Sequence, residues 1–269
     1  DEMLQSISTP HAQAEADSPA WVDQISVLDQ IFKRRHLDKQ TGVHNYATTY
    51  ASLLGPLRSQ ITSFVEIGIG SVASFDGSVR SAKGEIVPLD NNMKYWQWHP
   101  RGKGYRPGAS LLAWEEYFPN AHIVGIDLDS TVVQRINSGT VSSKNAVGMN
   151  HTRISARHAN TQDTAQVATL NLSGVDVIID DGLHSWEAQQ QTLVNMWPSL
   201  REGGYYFIED VATAQQANNS NAARILAAGG ASFVQLGTWE RQHKHAPGNM
   251  ILLRKRRTRA GRQSNQSNV

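Results

Sequence analysis

Two short runs carry the acids and the imidazole best suited to chemistry: Asp180-Asp181-Gly182-Leu183-His184 and Glu209-Asp210. Each closes or follows a β-rich run, 175–180 (VDVIID) and 204–209 (GYYFIE). If those runs are neighbouring parallel strands, four carboxylates and one imidazole reach the same edge of the sheet. Like charges that close destabilise one another unless a cation joins them. Carboxylate oxygens without thiolates or a histidine cluster favour a hard ion, with Mg2+ the best match. His184 lies three residues beyond Asp181. An imidazole titrates near neutrality, so it is a natural base for a hydroxyl proton. Any one of these acids alone reads as a helix cap or a loop-closing hydrogen bond. The set reads as a metal site.

A second group of residues points to a nucleoside. Glu66-Ile67-Gly68-Ile69-Gly70 follows the run SFVEI at 63–67. Glycines after a strand let the backbone approach a ligand closely. Read through Ala73, the run satisfies the loose dinucleotide pattern G-x-G-x-x-G/A. Asp127 ends the next β-rich run, 121–127. An acid there accepts hydrogen bonds from ribose hydroxyls. Its competing reading is a helix N-cap, because a short helical stretch follows. Together these residues indicate a nicotinamide dinucleotide or S-adenosylmethionine.

The elements that must position these residues alternate. Strand-like runs fall at 63–67, 121–127, 152–158, 175–180, 204–209, 231–236 and 249–254, and helical spacing at 109–117, 161–170, 185–200 and 220–228. Alternation of this kind predicts an α/β fold with a mostly parallel sheet. No helix separates the last two runs, which predicts a closing antiparallel hairpin. Residues 1–20 read as a flexible lead and 21–58 as an N-terminal helical segment, with helices at Trp21 to Phe32 and Tyr46 to Leu57. The core domain then spans 59–254, and 255–269 is a basic disordered tail. Residues 71–107 break the rhythm with weak periodicity and the cluster YWQWHPRGKGYRP. A long segment of that kind reads as a lid-like insertion facing substrate. Tyr95, Trp96, Trp98 and Tyr105 would close the site or pack the insertion onto the body.

Composition excludes several classes. The chain has 269 residues and no cysteine, which removes disulfides, thiolate zinc, iron–sulfur clusters and a cysteine nucleophile. The formal charge is +1, from 25 Lys+Arg against 24 Asp+Glu. The tail segment 254–262 holds six of those basic residues and no acid, so the remainder carries 19 against 24. A mildly acidic body with a short basic tail is not a nucleic-acid-binding composition. No apolar run is long enough to span a bilayer.

The segments VEIGIG, GASL…W…YFP…VGIDLD, DVIIDDGLH and GGYYFIEDV resemble the metal-dependent macrolide-sugar O-methyltransferases of the macrocin and mycinamicin type. The related cephalosporin-hydroxylase-like group shares much of this. The segment DKQTGVHNYATTY is similar to the stretch before that family's core. The resemblance covers about 38–211 apart from the insertion. It implies a class I, Rossmann-like methyltransferase fold with a seven-stranded sheet and helices on both faces. It implies S-adenosylmethionine and Mg2+ as cofactors, Asp181, Glu209 and Asp210 as metal ligands, and His184 as general base. Glu66 and Gly68 would line the methionine and ribose end of the cofactor, Ser110 its carboxylate, and Asp127 its ribose. Asn160 stands near the adenine position, where the family's Gly-Asp-Gln is replaced by Ala159-Asn160-Thr161.

The implied partner is a sugar or glycoside, with no nucleic acid and a homo-oligomer left open. The alternatives are a catechol-type or other small-molecule O-methyltransferase, an NAD(P)-dependent oxidoreductase, and a non-catalytic carbohydrate-binding protein on the same fold. A cytoplasmic enzyme is the default location; a Golgi enzyme follows if an N-terminal anchor has been removed.

Overall fold

The computed structural model describes residues 20–70, 78–80, 86–88, 107–138, 152–211, 221, 224–225, 231–237 and 249–257. The expected lead, the aromatic cluster at 95–105, most of the insertion and the tail beyond 257 lie outside these residues. Among the described residues, no helix is long and apolar enough to cross a membrane.

Two helices come first, α1 (Ala20–Arg34) and α2 (Tyr46–Leu54), the second continued by a 3-10 turn over Gly55–Leu57. Then follow β1 (Ser63–Ile67), the short β2 (Ser78–Arg80) and β3 (Ile86–Pro88), α3 (Ala109–Tyr117), β4 (His122–Asp127) and α4 (Ser130–Ser138). The second half holds β5 (Ile154–His158), α5 (Thr164–Thr169), β6 (Val175–Asp180), α6 (Trp186–Met196), β7 (Leu200–Ile208), β8 (Ala231–Gly237) and β9 (Asn249–Lys255).

One sheet runs β5-β4-β1-β6-β7-β9-β8. Its first five strands pair in parallel, and β9 is antiparallel to both β7 and β8. The expected hairpin is present, but its second strand lies inside the sheet, between β7 and β8. Strand β7 starts at Leu200, four residues before the expected run, with an irregular register between Val175 and Val177 of its neighbour. The insertion is not free of regular structure, since β2 and β3 form a small antiparallel pair.

Strand side chains alternate between two cores. Phe64, Ile123, Val177, Ile179 and Phe207 pack on one face with α1, α2, α3 and α4. Val65, Val124, Ile126, Ile178, Tyr206 and Ile208 pack on the other with α5 and α6. Both faces are covered, which is why SFVEI and VDVIID are almost continuously apolar. Trp114 of α3 centres the first core, within 5.0–5.2 Å of the rings of Phe32, Tyr50 and Phe64. Full burial of an aromatic side chain contributes about 2–3 kcal/mol.

The chain leaves β1 toward β4 and β5, then crosses back to β6 and β7 on its other side. The carboxyl ends of β1 and β6 therefore form the topological switch point, where open α/β sheets bind ligands. There Asp181 N donates to Ile67 O (2.9 Å), and Gly68 N donates to Ile126 O (2.9 Å). Gly108, just before α3, donates to Ile69 O (2.6 Å). The insertion thus leaves and rejoins the fold at one pinched base.

Candidate active site

The acids after β6 and β7 meet beside this switch point. Asp181, His184 and Asp210 each present one ligand atom, and the three atoms lie within 4.8 Å of one another. His184 Nε2 is 3.7 Å from Asp210 Oδ2 and 4.0 Å from Asp181 Oδ1. The loop after β6 delivers Asp181 and His184 together. It ends at Ser185, whose hydroxyl caps α6 by accepting from Ala188 N (3.3 Å).

Glu209 lies deeper, almost wholly buried. One of its oxygens accepts from the Tyr50 hydroxyl and the other from Lys39 Nζ, at 2.6 Å. Asp210 adopts a left-handed backbone, φ 53°. For a residue other than glycine that is uncommon and concentrates at functional sites. The Tyr46 hydroxyl holds it, donating to Asp210 Oδ1 (2.6 Å) and accepting from Asp210 N (3.2 Å). His44 Nδ1 stands 3.6 Å from the same carboxylate.

Asp180 does not join this group. Strand alternation sends its carboxyl toward the opposite core, where Tyr206 lies. The expectation of four carboxylates at one spot becomes three, joined by Glu66 from β1.

Lys39, His44, Tyr46 and Tyr50 were not singled out from the sequence. They come from α2 and the turn before it, more than 130 residues from Asp181, Glu209 and Asp210. The available signal was Tyr46 and Tyr50 at i and i+4, one face of one helix, downstream of a lysine in a turn-rich connector.

Electrostatics follows from burial. Burial pushes Glu209 well above the ordinary carboxylate range and raises Asp181, in both cases against the pull of Lys39. Asp210 adds repulsion to both. Burial alone would lower Lys39, yet Asp181, Glu209 and Glu66 hold it well above its usual range. Acids raised by burial and mutual repulsion are a set that a cation relieves.

The second half of the site lies on β1, β4 and β5. Glu66 is fully buried, 3.7 Å from Lys39, and neither of its oxygens has a hydrogen-bond partner. Burial pushes its carboxyl up to about 7, against Lys39 and the nearby Ser110. Ser110 opens α3 directly after the Gly108 contact. Asp127 accepts from Ile69 N (2.9 Å) and from Asp129 N (2.7 Å), so it ties the β1 loop to the β4 loop. Asp129, not Asp127, caps α4 by accepting from Thr131 N (2.9 Å). Burial raises Asp127 to about 7. Asn160 accepts from Gln162 N (3.0 Å) and donates its own backbone N–H to Gln166, closing the turn into α5. These residues occupy successive strand ends on one side of the switch point; the acids and His184 occupy the other.

A family described as a methyltransferase domain matches residues 107–246. The L-olivosyl-oleandolide 3-O-methyltransferase of Streptomyces antibioticus is 29% identical over 195 residues, 72% of this chain and 40% of that protein. The 8-demethyl-8-alpha-L-rhamnosyl tetracenomycin-C 2'-O-methyltransferase of Streptomyces olivaceus is 25% identical over 182 residues, 67% of this chain and 36% of that protein. The chain therefore spans well under half the length of these relatives. Among solved structures, the MycE methyltransferase of the mycinamycin pathway, in complex with Mg, SAH and mycinamycin VI, aligns with a TM-score of 0.55 at 18% identity. That alignment covers 87% of this chain and 56% of MycE. At this identity it shows a shared fold, the class I methyltransferase fold expected from the sequence.

Proposed function

The chain belongs to the methyltransferase-domain family, and from that premise we propose that it transfers the methyl group of S-adenosylmethionine to a hydroxyl of a sugar or glycoside, with Mg2+. The observation that carries this reading is the convergence of Asp181, His184 and Asp210 within 4.8 Å at the switch point. The names of the similar proteins support the acceptor class, since each is a glycoside O-methyltransferase.

The residues present fit both groups. Asp181 and Asp210 offer hard oxygen donors, with Glu209 directly behind them, and oxygen donors of this kind suit Mg2+. Glu66 offers a fully buried carboxyl at the edge where Gly68, Ser110, Asp127 and Asn160 would hold the cofactor. Asp181 and Asp210 would hold Mg2+, which would lower the pKa of the reacting hydroxyl; the sulfonium cofactor would supply the methyl group.

His184 takes the hydroxyl proton. It is partly open to solvent and sits at the mouth of the acidic group, so it can reach an acceptor seated there. Asp210 beside it favours the imidazolium that forms. Tyr46 fixes Asp210, and Tyr50 with Lys39 fixes Glu209, so the acids need little rearrangement during reaction.

Calorimetry with S-adenosylhomocysteine, with and without Mg2+, tests the assignment. Binding of that ligand and not of NAD(P) is expected. Binding of NAD(P) alone would overturn it.

A further inference from the structure

Lys39 is a lysine with 2% of its side chain exposed, placed among acids. Its Nζ lies 2.6 Å from Asp181 Oδ2, 2.6 Å from Glu209 Oε2 and 3.7 Å from Glu66 Oε1. Three strands, β1, β6 and β7, thus send a carboxylate to one ammonium. Burying a lysine is costly unless it is paired, and an uncompensated buried carboxylate is equally costly.

The backbone around Lys39 is held at many points. Helix α1 ends with His36 at φ 56°, Leu37 N donating to Phe32 O (3.0 Å) and His36 N to Lys33 O (3.2 Å), a Schellman closure. Asp29 of α1 reaches forward to accept from Thr41 N (2.6 Å). His44 N donates to Asp38 O (2.9 Å), and Ala47 N, in α2, donates to Lys39 O itself (3.0 Å). The lysine therefore enters the acidic group from a fixed stalk and does not need to find it.

We propose that Lys39 is a positioning residue: a built-in counter-cation that pins one oxygen of Asp181 and one of Glu209, so that the acidic group keeps its arrangement without a divalent ion and presents Asp181 Oδ1 toward Asp210 and His184 for one. This rests on the metal-dependent reading of the site. Its consequence is a division of labour. Lys39 compensates the dry side, with Glu66 and Glu209, and an added ion compensates the wetter side, with Asp181 and Asp210.

The test compares wild type with Lys39→Met by thermal unfolding, in EDTA and in Mn2+ or Mg2+, and by Mn2+ binding. Lys39→Met keeps the stem length and removes the charge. In EDTA its Tm should fall by roughly 10 °C, the scale of breaking a buried pair in a domain of this size. Metal should recover much of the loss, so that the metal-induced rise in Tm is at least about twice that of wild type. Adding Glu209→Gln should return the EDTA value toward wild type, because one uncompensated charge is then gone. Equal EDTA values and equal metal-induced rises in wild type and Lys39→Met would overturn the proposal. If Lys39→Met does not fold, folding of Lys39→Met/Glu209→Gln supports the charge role, and failure of both variants overturns it in favour of packing alone. Wild type that binds no Mn2+ would refute the metal reading, while the EDTA comparison would still decide the role of Lys39.

Discussion

A Cβ added to Gly68 would lie 2.1 Å from the carbonyl oxygen of Asp181. The glycine of the first strand's loop is thus set by the backbone of the loop after β6, across the switch point. Its φ of +83° adds a second reason, since a side chain is strained there. Gly68→Ala should destabilise the fold by about 2–4 kcal/mol and displace Asp181. Thermal unfolding together with Mn2+ binding checks this. A variant with unchanged Tm and unchanged metal affinity would contradict it.

In the proposed mechanism His184 acts on the acceptor, not on the cofactor. His184→Ala should lower turnover by about 10²–10⁴-fold, the usual worth of a positioned acid or base. Affinity for S-adenosylhomocysteine should stay close to wild type, because His184 lies on the other side of the switch point from Glu66, Asp127 and Asn160. Undiminished turnover would remove it from the role of base.

Chelation should stop turnover and Mg2+ should restore it. Asp181→Asn should require far more Mg2+ for the same rate, because Asp181 supplies one of the three converging ligand atoms. A rate indifferent to EDTA would refute the metal's part.

Asp180 gives a pH signature separate from catalysis. Its Oδ2 is buried without a hydrogen-bond partner, and burial pushes the carboxyl from 3.8 up to about 7. A raised carboxyl favours the protonated folded state. Its stabilising contribution is therefore fullest below about pH 4 and is lost as pH rises toward about 7. Glu66 and Asp127 run in the same direction. Asp180→Asn removes one ionising group, so its Tm relative to wild type, measured in EDTA, should climb by several degrees between about pH 4 and pH 7 and then level. A difference that does not vary with pH would contradict this.

Much of the arrangement is legible in the sequence for a local reason. VDVIID is followed at once by Asp181 and His184, and GYYFIE ends at Glu209-Asp210, so strand ends and chemistry coincide. The bounds of α3, 109–117, follow from its own periodicity and the glycine before it. What stays hidden depends on distance along the chain. Nothing near Lys39 or Tyr50 reveals that Glu209, 170 and 159 residues away, completes their pairing. The place of β9 between β7 and β8 is equally non-local, since either order buries the same residues of a hairpin. Asp180 shows a third limit. Adjacent acids in a strand face opposite sides, so a count of carboxylates at a strand end overstates what one site receives.

Methyl transfer to a sugar hydroxyl is tested most directly by incubating the protein with S-adenosylmethionine, Mg2+ and a panel of vicinal-diol glycosides, with a catechol as control, and reading products by mass. The account predicts a product heavier by one methylene on at least one glycoside, dependent on Mg2+ and lost in His184→Ala. Methylation of the catechol alone, or no methylated glycoside although the cofactor binds, would contradict it.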